Sequence, residues 1–228
     1  MLQKSFFICI AILLVGTQVF AMEYVTENAK TCESNHKKTC DLNEKPITGK
    51  VIKYHPNGNL RIEITLKDGL QNGVTKAYFE NGNPNYEINF ENGKHHGLHK
   101  EYYENGNLKM EFNFDHGKVD GLERDYYESG NLKAEVNHKN GNREGVAKIF
   151  YEDGSLLAEG TFVNGKEAGK EKYYHKNGDL WMEIDYKNGE PIAGHKYNKD
   201  GTKEKMADER LKFLQEITLE GLLSLTGN

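Results

Sequence analysis

The sequence predicts an all-β protein: an elongated, single-layer antiparallel β-meander of tandem 24-residue hairpin repeats with a short C-terminal α-helical cap. Three observations predict it. Glycines recur in three phased sets, at 49, 73, 97, 121, 145 and 169, at 58, 82, 106, 130, 154 and 178, and at 69, 93, 117, 141, 165 and 189. Between them, apolar and polar residues alternate as half-buried strands require. The composition agrees: 24 Gly against four Pro supplies many turns, and 13 Tyr and 10 Phe in a chain only 36% hydrophobic suit thin aromatic packing better than a thick core.

Residues 1–21 read as a cleaved secretory signal. Lys4 is their only charge, an apolar run from Phe6 to Val15 follows it, and Val19-Phe20-Ala21 precedes polar sequence beginning at Met22. Residues 22–48 show no periodicity and are expected to form an irregular N-terminal extension covering the first strand edge. They hold Cys32 and Cys40. A pair of cysteines in an exported chain favours a disulfide, with free thiols or half a metal site as the alternatives.

Residues 49–193 carry six repeats, of which Gly97 to Asp120 is the clearest. Each is expected to hold two strands and two three-residue turns ending in Gly, here Glu104-Asn105-Gly106 and Asp115-His116-Gly117. Gly suits the last turn position because φ is positive there and a Cβ would clash. With 104–106 as the loop, Tyr102 is expected opposite Leu108, Lys100 opposite Met110 and Leu98 opposite Phe112. The same face would collect Tyr78, Tyr126, Phe150 and Tyr174, together with Phe90, Phe162 and Tyr186, into one apolar surface. The opposite face would carry Glu63, Glu87, Glu111, Glu135, Glu159 and Glu183, with Lys109 and Lys133 as counterions and Phe79, Tyr103, Tyr127 and Tyr151 nearby. Equivalent strands lie about 9–10 Å apart, too far for one ion to bridge two of these carboxylates, so ion pairing is the expected role of the ladder.

Residues 194–206 read as a degenerate seventh unit, keeping Tyr197 and Asp200-Gly201. Residues 207–228 leave the repeat. Asp208 suits a helix N-cap, and Leu211, Leu214 and Ile217 recur at helical spacing up to about Leu223. This helix is expected to cap the last hairpins.

Several functions are excluded or disfavoured. A net charge of −5 leaves no basic surplus for neutralising phosphates, so no nucleic-acid partner is expected. Serines are few, the mature cysteines lie outside the array, and no phosphate-binding Gly-rich loop with a following Lys-Ser/Thr occurs, so neither an enzyme nor a cofactor is expected. His95, His96 and His99 are suited chemically to zinc or copper, but they fall at a turn where exposed polar residues are ordinary, so no metal site is expected. The expected partner-binding residues are Tyr78, Tyr102, Tyr126, Phe150 and Tyr174, joined by Trp181 on the more polar face.

The motif formed by Tyr102, Tyr103, Asn105, Gly106, Leu108, Glu111, Gly117, Lys118 and Gly121 resembles the bacterial variant of the MORN repeat, across residues 49–193. The resemblance implies extended antiparallel sheets of successive hairpins. Bacterial proteins of this kind are described as YwqK-like antitoxin components, so it also implies a protein-binding module acting on a partner such as a toxin. With the signal peptide, the expected location is the periplasm, cell envelope or extracellular space. The alternative is an envelope-associated scaffold that contacts lipid or glycan.

Overall fold

The computed structural model describes residues 23–25, 30–31, 38–41, 45–207 and 219–224. The expected signal peptide, Cys32 and Asp208 lie outside them, as do Leu211, Leu214 and Ile217. Units one to six start at Gly49, Gly73, Gly97, Gly121, Gly145 and Gly169. Their outbound strands are Gly49–Tyr54, Gly73–Tyr78, Lys94–Tyr102, Gly121–Tyr126, Asn142–Phe150 and Lys166–Tyr174, and Glu190–Tyr197 follows from the degenerate seventh. The return strands are Leu60–Lys67, Pro84–Glu91, Leu108–Asp115, Leu132–Lys139, Leu156–Val163 and Leu180–Lys187. Each pairs antiparallel with its sequence neighbours, giving one open meander that holds 17 strands among the described residues, as the period predicts.

Both ends of the meander are extended. Lys203–Lys205 adds antiparallel to Glu190–Tyr197, and Glu23–Val25 adds parallel to Gly49–Tyr54. The N-terminal extension is therefore not irregular throughout: it supplies an edge strand, and Lys30–Thr31 pairs with Thr39–Cys40 beside it. Cys40 is fully buried and disulfide-bonded.

The two turns of a unit differ. At the first, Tyr103 N–H donates to Asn107 O at 2.8 Å and Gly106 N–H to Tyr103 O at 2.9 Å, closing the three-residue loop expected there. Gly106 has φ 93°. The second turn has two residues rather than three, because Asp115 pairs directly with Lys118. His116 and Gly117 both take positive φ, 49° and 82°, the geometry of a type I′ turn. Asn or Asp fills the His116 place in the other five units, and these residue types tolerate that conformation best after Gly.

A second irregularity changes which residues share a face. Leu108 pairs with Tyr102, but the next pair is Met110 with Glu101, leaving Lys109 as an extra residue in the return strand. The same shift recurs in all six units. A bulge of this kind moves every later side chain of one strand to the other partner face. Phe112 therefore lies opposite His99 and Asn113 opposite Leu98, which corrects the expected pairing.

Beyond the bulge, one face collects Tyr86, Ile88 and Phe90 and their equivalents in later units, and the other collects the glutamates. Cross-strand register places Glu63, Glu87, Glu111, Glu135, Glu159 and Glu183 alternately with Lys76, Lys100, Arg124, Lys148 and Lys172. Lys76 Nζ lies 3.1 Å from Glu87 Oε1 and Arg124 Nη1 3.5 Å from Glu111 Oε1. The ladder is thus paired as expected, but by residues of neighbouring strands rather than by Lys109 and Lys133. Opposite charges directly across a sheet favour this register by a few tenths of a kcal/mol each, roughly.

Neighbouring units are also tied tip to tip. Asn105 Nδ2 and Asn107 Nδ2 both donate to Glu128 O of the next first-turn loop, at 3.0 and 2.9 Å. Tyr103, Tyr127 and Tyr151 donate their hydroxyls to Tyr126 O, Phe150 O and Tyr174 O, at 2.8, 2.7 and 2.9 Å. At the other edge, Gly117 N–H donates to His95 O at 3.0 Å and Gly141 N–H to Val119 O at 2.8 Å.

The main core lies in units four to six. Ala134, Val136, Ala147, Ile149, Ala158, Phe162, Tyr173, Met182 and Ile184 are buried there together with Leu219 and Leu223 of the helix Leu219–Ser224. The helix packs on Asn142–Phe150 and Leu156–Val163, so it covers unit five rather than the last hairpins. Space decides this: a Cβ at Gly160 would lie 2.7 Å from Glu171 Cγ and 2.8 Å from Leu219 Cδ2. A smaller core of Ile47, Val51 and Leu66 sits at the N-terminal end.

Candidate binding surface

The apolar face is built from three positions per return strand, and the repeat fills them differently along its length. In units two and three these positions hold Tyr86, Ile88 and Phe90, then Met110, Phe112 and Phe114, and all six remain half-buried. In units four to six the equivalents include Ala134, Val136, Ala158, Phe162, Met182, Ile184 and Tyr186, all buried. Phe162, at 0% exposure, occupies the place that Phe90 and Phe114 hold in their units. Ala158 and Gly160 thus make room where the helix lies, whereas Tyr86, Met110, Ile88 and Phe112 hold the equivalent places where the face stays open.

Histidines of the facing strand complete the open part. His95 packs edge-on against Phe90 with centroids 4.7 Å apart and lies 4.8 Å from Phe114. His99 stacks on Phe112 at 4.5 Å, and Phe112 meets Phe114 edge-on at 5.2 Å. Burial, followed by the neighbouring His99, lowers the pKa of His95, so its ring is held neutral. His99 Nε2 lies 3.1 Å from Glu101 Oε1, and that hydrogen bond is the main reason the Glu101 carboxyl titrates below its ordinary range. The strip can therefore offer flat apolar surface, a neutral imidazole and a carboxylate within one patch.

The residues expected to bind a partner lie elsewhere. Tyr78, Tyr102, Tyr126, Phe150 and Tyr174 share the face of the charge ladder, because the bulge separates them from Phe90 and Phe162. Tyr126 and Tyr174 donate their hydroxyls to Glu111 Oε1 and Glu159 Oε1, at 3.1 and 2.8 Å. Burial and the adjacent carboxylate push the Tyr174 phenol up to about 12. Trp181 is not on the polar face: it packs against the main core, with its ring 5.9 Å from that of His175. It occupies the extra position that Lys109 holds in unit three, and the bulge turns that residue toward the apolar side.

The three histidines also separate. His95 and His99 join the aromatic strip, while His96 faces the turn of Asp115 and His116 at the sheet edge. Among the described residues, His96, Asp115 and His116 are the group with metal-ligand spacing.

Sequence reasoning passed over a buried acidic pair under the helix. Glu171 and Glu167 are 0% and 3% exposed. Tyr173 donates its hydroxyl to Glu171 Oε2 at 2.8 Å. Burial, then the charge of Glu167, raise Glu171 to about 8, so it is protonated at neutral pH. The available signal was Gly160, a glycine within a strand and outside the three phased sets, which marks close approach by another element.

The pattern of the MORN repeat variant family matches six times, at residues 47–68, 71–92, 96–116, 119–140, 143–164 and 168–188. No curated protein matches the chain. Among solved structures, the chain is similar to the Glycosylation Associate Protein (Gap123) complex from Streptococcus agalactiae, at 18% identity and a TM-score of 0.32, covering 54% of this chain and 25% of that one. It is also similar to the crystal structure of TarM, at 13% identity and a TM-score of 0.28, covering 43% of this chain and 22% of that one. A GtfA/B complex bound to UDP and GlcNAc matches at 11% identity and a TM-score of 0.24, covering 58% of this chain and 26% of that one. The chain thus spans about a quarter of the length of the solved chains it matches.

Proposed function

This chain belongs to the MORN repeat variant family, and on that premise we propose that it is an exported, non-catalytic module that binds a protein partner through the open strip of units two and three. An antitoxin or immunity-type role, neutralising a toxin in the cell envelope, is the finer form of this reading. The observation that carries the proposal is the contrast along one face. The helix covers unit five, whereas Met110, Phe112 and Phe114 stay half-exposed at equivalent places in unit three. Aromatic residues and methionine are the types enriched at protein interfaces, and the His99–Glu101 pair adds hydrogen-bonding specificity. The charge ladder on the other face supports the same division of labour, since its groups are already engaged with one another.

The test compares the chain of residues 22–228 with a Phe112→Ser, Phe114→Ser variant, each used for crosslinked capture from the organism's own cells. One dominant protein, recovered at fixed stoichiometry by the first and lost by the second, supports the reading, and a toxin as that protein supports the immunity form. Equal recovery by both chains overturns the assigned surface. Recovery of lipid or wall material alone transfers the argument to a scaffold role. Thermal melts of the variant establish that the loss comes from the surface rather than from unfolding.

A further inference from the structure

The edge of the sheet between units two and three places three metal-ligating side chains together. Asp115 ends a return strand, His116 begins the type I′ turn that follows, and His96 lies on the preceding outbound strand. The hydrogen bond from Gly117 N–H to His95 O fixes that turn against that strand. One ligand atom from each of His96, Asp115 and His116 lies within 4.8 Å of the other two. His116 Nδ1 is 2.6 Å from Asp115 Oδ1, and His96 Nδ1 is 3.9 Å from the same oxygen.

A second observation concerns His96 itself. Its Nδ1 is shielded from solvent and has no hydrogen-bond partner, while its Nε2 faces Glu91 Oε2 at 4.0 Å. A shielded ring nitrogen without a partner loses its solvation for no return. With its partnerless Nδ1 turned toward Asp115 and its Nε2 turned toward Glu91, the ring is oriented as a metal-bound histidine is, with a carboxylate on its outer side.

We propose that His96, Asp115 and His116 form a binding site for a borderline divalent transition ion of the zinc type, with Glu91 orienting His96. Two imidazoles and one carboxylate select such an ion over magnesium or calcium, which take oxygen donors. Zinc bonds of about 2.0–2.2 Å set the donors roughly 3.3 Å apart, so Asp115 must approach His96 and His116 Nδ1 must draw back from Asp115. Rotation of Asp115 and His116 supplies this, since their side chains are 61% and 81% exposed. A water would complete a four-coordinate shell. The bound ion would tie the turn of unit three to the strand carrying His95 and His99, and so hold the aromatic strip at its edge.

The experiment is calorimetric titration of zinc into the full chain, purified without a histidine tag and stripped with chelator. Expected are one zinc per chain, a loss of at least tenfold in affinity for His96→Ala and for His116→Ala, and about a tenfold loss for Glu91→Gln. Zinc should also raise the melting temperature of the wild-type chain but not that of His96→Ala, and His175→Ala, in unit six, should bind zinc as the wild type does. Absence of zinc binding by the wild-type chain overturns the proposal. Retention of wild-type affinity by a folded His96→Ala chain also overturns it, since the ion would then sit on other ligands.

Discussion

Replacing Glu171 by Gln should remove a pH dependence of stability that the natural chain carries. The carboxyl is fully buried, and its pKa is raised from 4.5 to about 8 by burial first and by the charge of Glu167 second. The unfolded chain leaves the group near its ordinary value. Between those limits folding takes up a proton, so the stabilising contribution is fully present below about pH 4.5 and is lost progressively as pH rises to about 8. Each pKa unit is worth about 1.4 kcal/mol, so the whole window corresponds to at most on the order of 5 kcal/mol. Gln keeps the volume and keeps an oxygen for the Tyr173 hydroxyl, but it has no proton to lose. Urea unfolding of both chains at pH 5, 6, 7 and 8, followed by circular dichroism, measures the difference directly. The stability of wild type relative to Glu171→Gln should fall by about 1 kcal/mol per pH unit across this range. Because Glu167 and Glu171 act as a coupled pair, Glu167→Gln should flatten the same curve in part. Parallel curves for wild type and Glu171→Gln would refute the reasoning, because the buried carboxyl would then titrate alike in the folded and unfolded chains.

Three further outcomes follow from the packing. Gly160→Ala should destabilise by about 1–3 kcal/mol, since its Cβ would crowd Glu171 and Leu219; an unchanged thermal midpoint would show that the helix does not pack there. Truncation after Met206 removes Leu219 and Leu223 from the core, each worth about 1.5–3 kcal/mol of burial, and should lower the melting temperature clearly. Tyr127→Phe deletes the hydroxyl donated to Phe150 O at 2.7 Å and should cost about 1 kcal/mol in urea unfolding without altering the β spectrum.

Much of the architecture was legible because it rests on backbone conformations that few residues adopt. Positive φ at Gly106 and Gly117 forces glycine to recur, and the recurrence reveals the unit. The face assignment was not legible from hydrophobicity, because the bulge residue carries no common chemistry. Arg61, Asn85, Lys109, Lys133, Leu157 and Trp181 occupy equivalent places in the six units. Both registers give an apolar-looking face, since the Tyr102 and Phe112 rows are each aromatic. Charge distinguishes them. Only the bulged register sets Glu87 across from Lys76 and Lys100, and the same alternation joins Glu63 to Lys76 and Glu183 to Lys172 at its ends. The docking place of the helix, expected on the last hairpins, left its mark instead in the exchange of Tyr86 and Met110 for Ala134 and Ala158 at equivalent positions. The site at His96 was hidden because its partners, Asp115 and His116, come from the following turn rather than from the neighbouring histidines.

The tip-to-tip bonds bear on how such a chain can change in length. Asn105 and Asn107 reach the next loop at offsets of 23 and 21 residues, and Tyr103 reaches the next strand at 23. Gain or loss of one whole repeat therefore hands every donor a chemically equivalent acceptor, whereas half a repeat would set three-residue loops against two-residue turns. Upstream of unit five the array is a ruler that evolution can extend or shorten by single graduations, changing the area of the aromatic strip without redesigning any joint. Downstream it is not, because Leu219 of the helix must still meet Gly160 whatever number of strands follows that glycine.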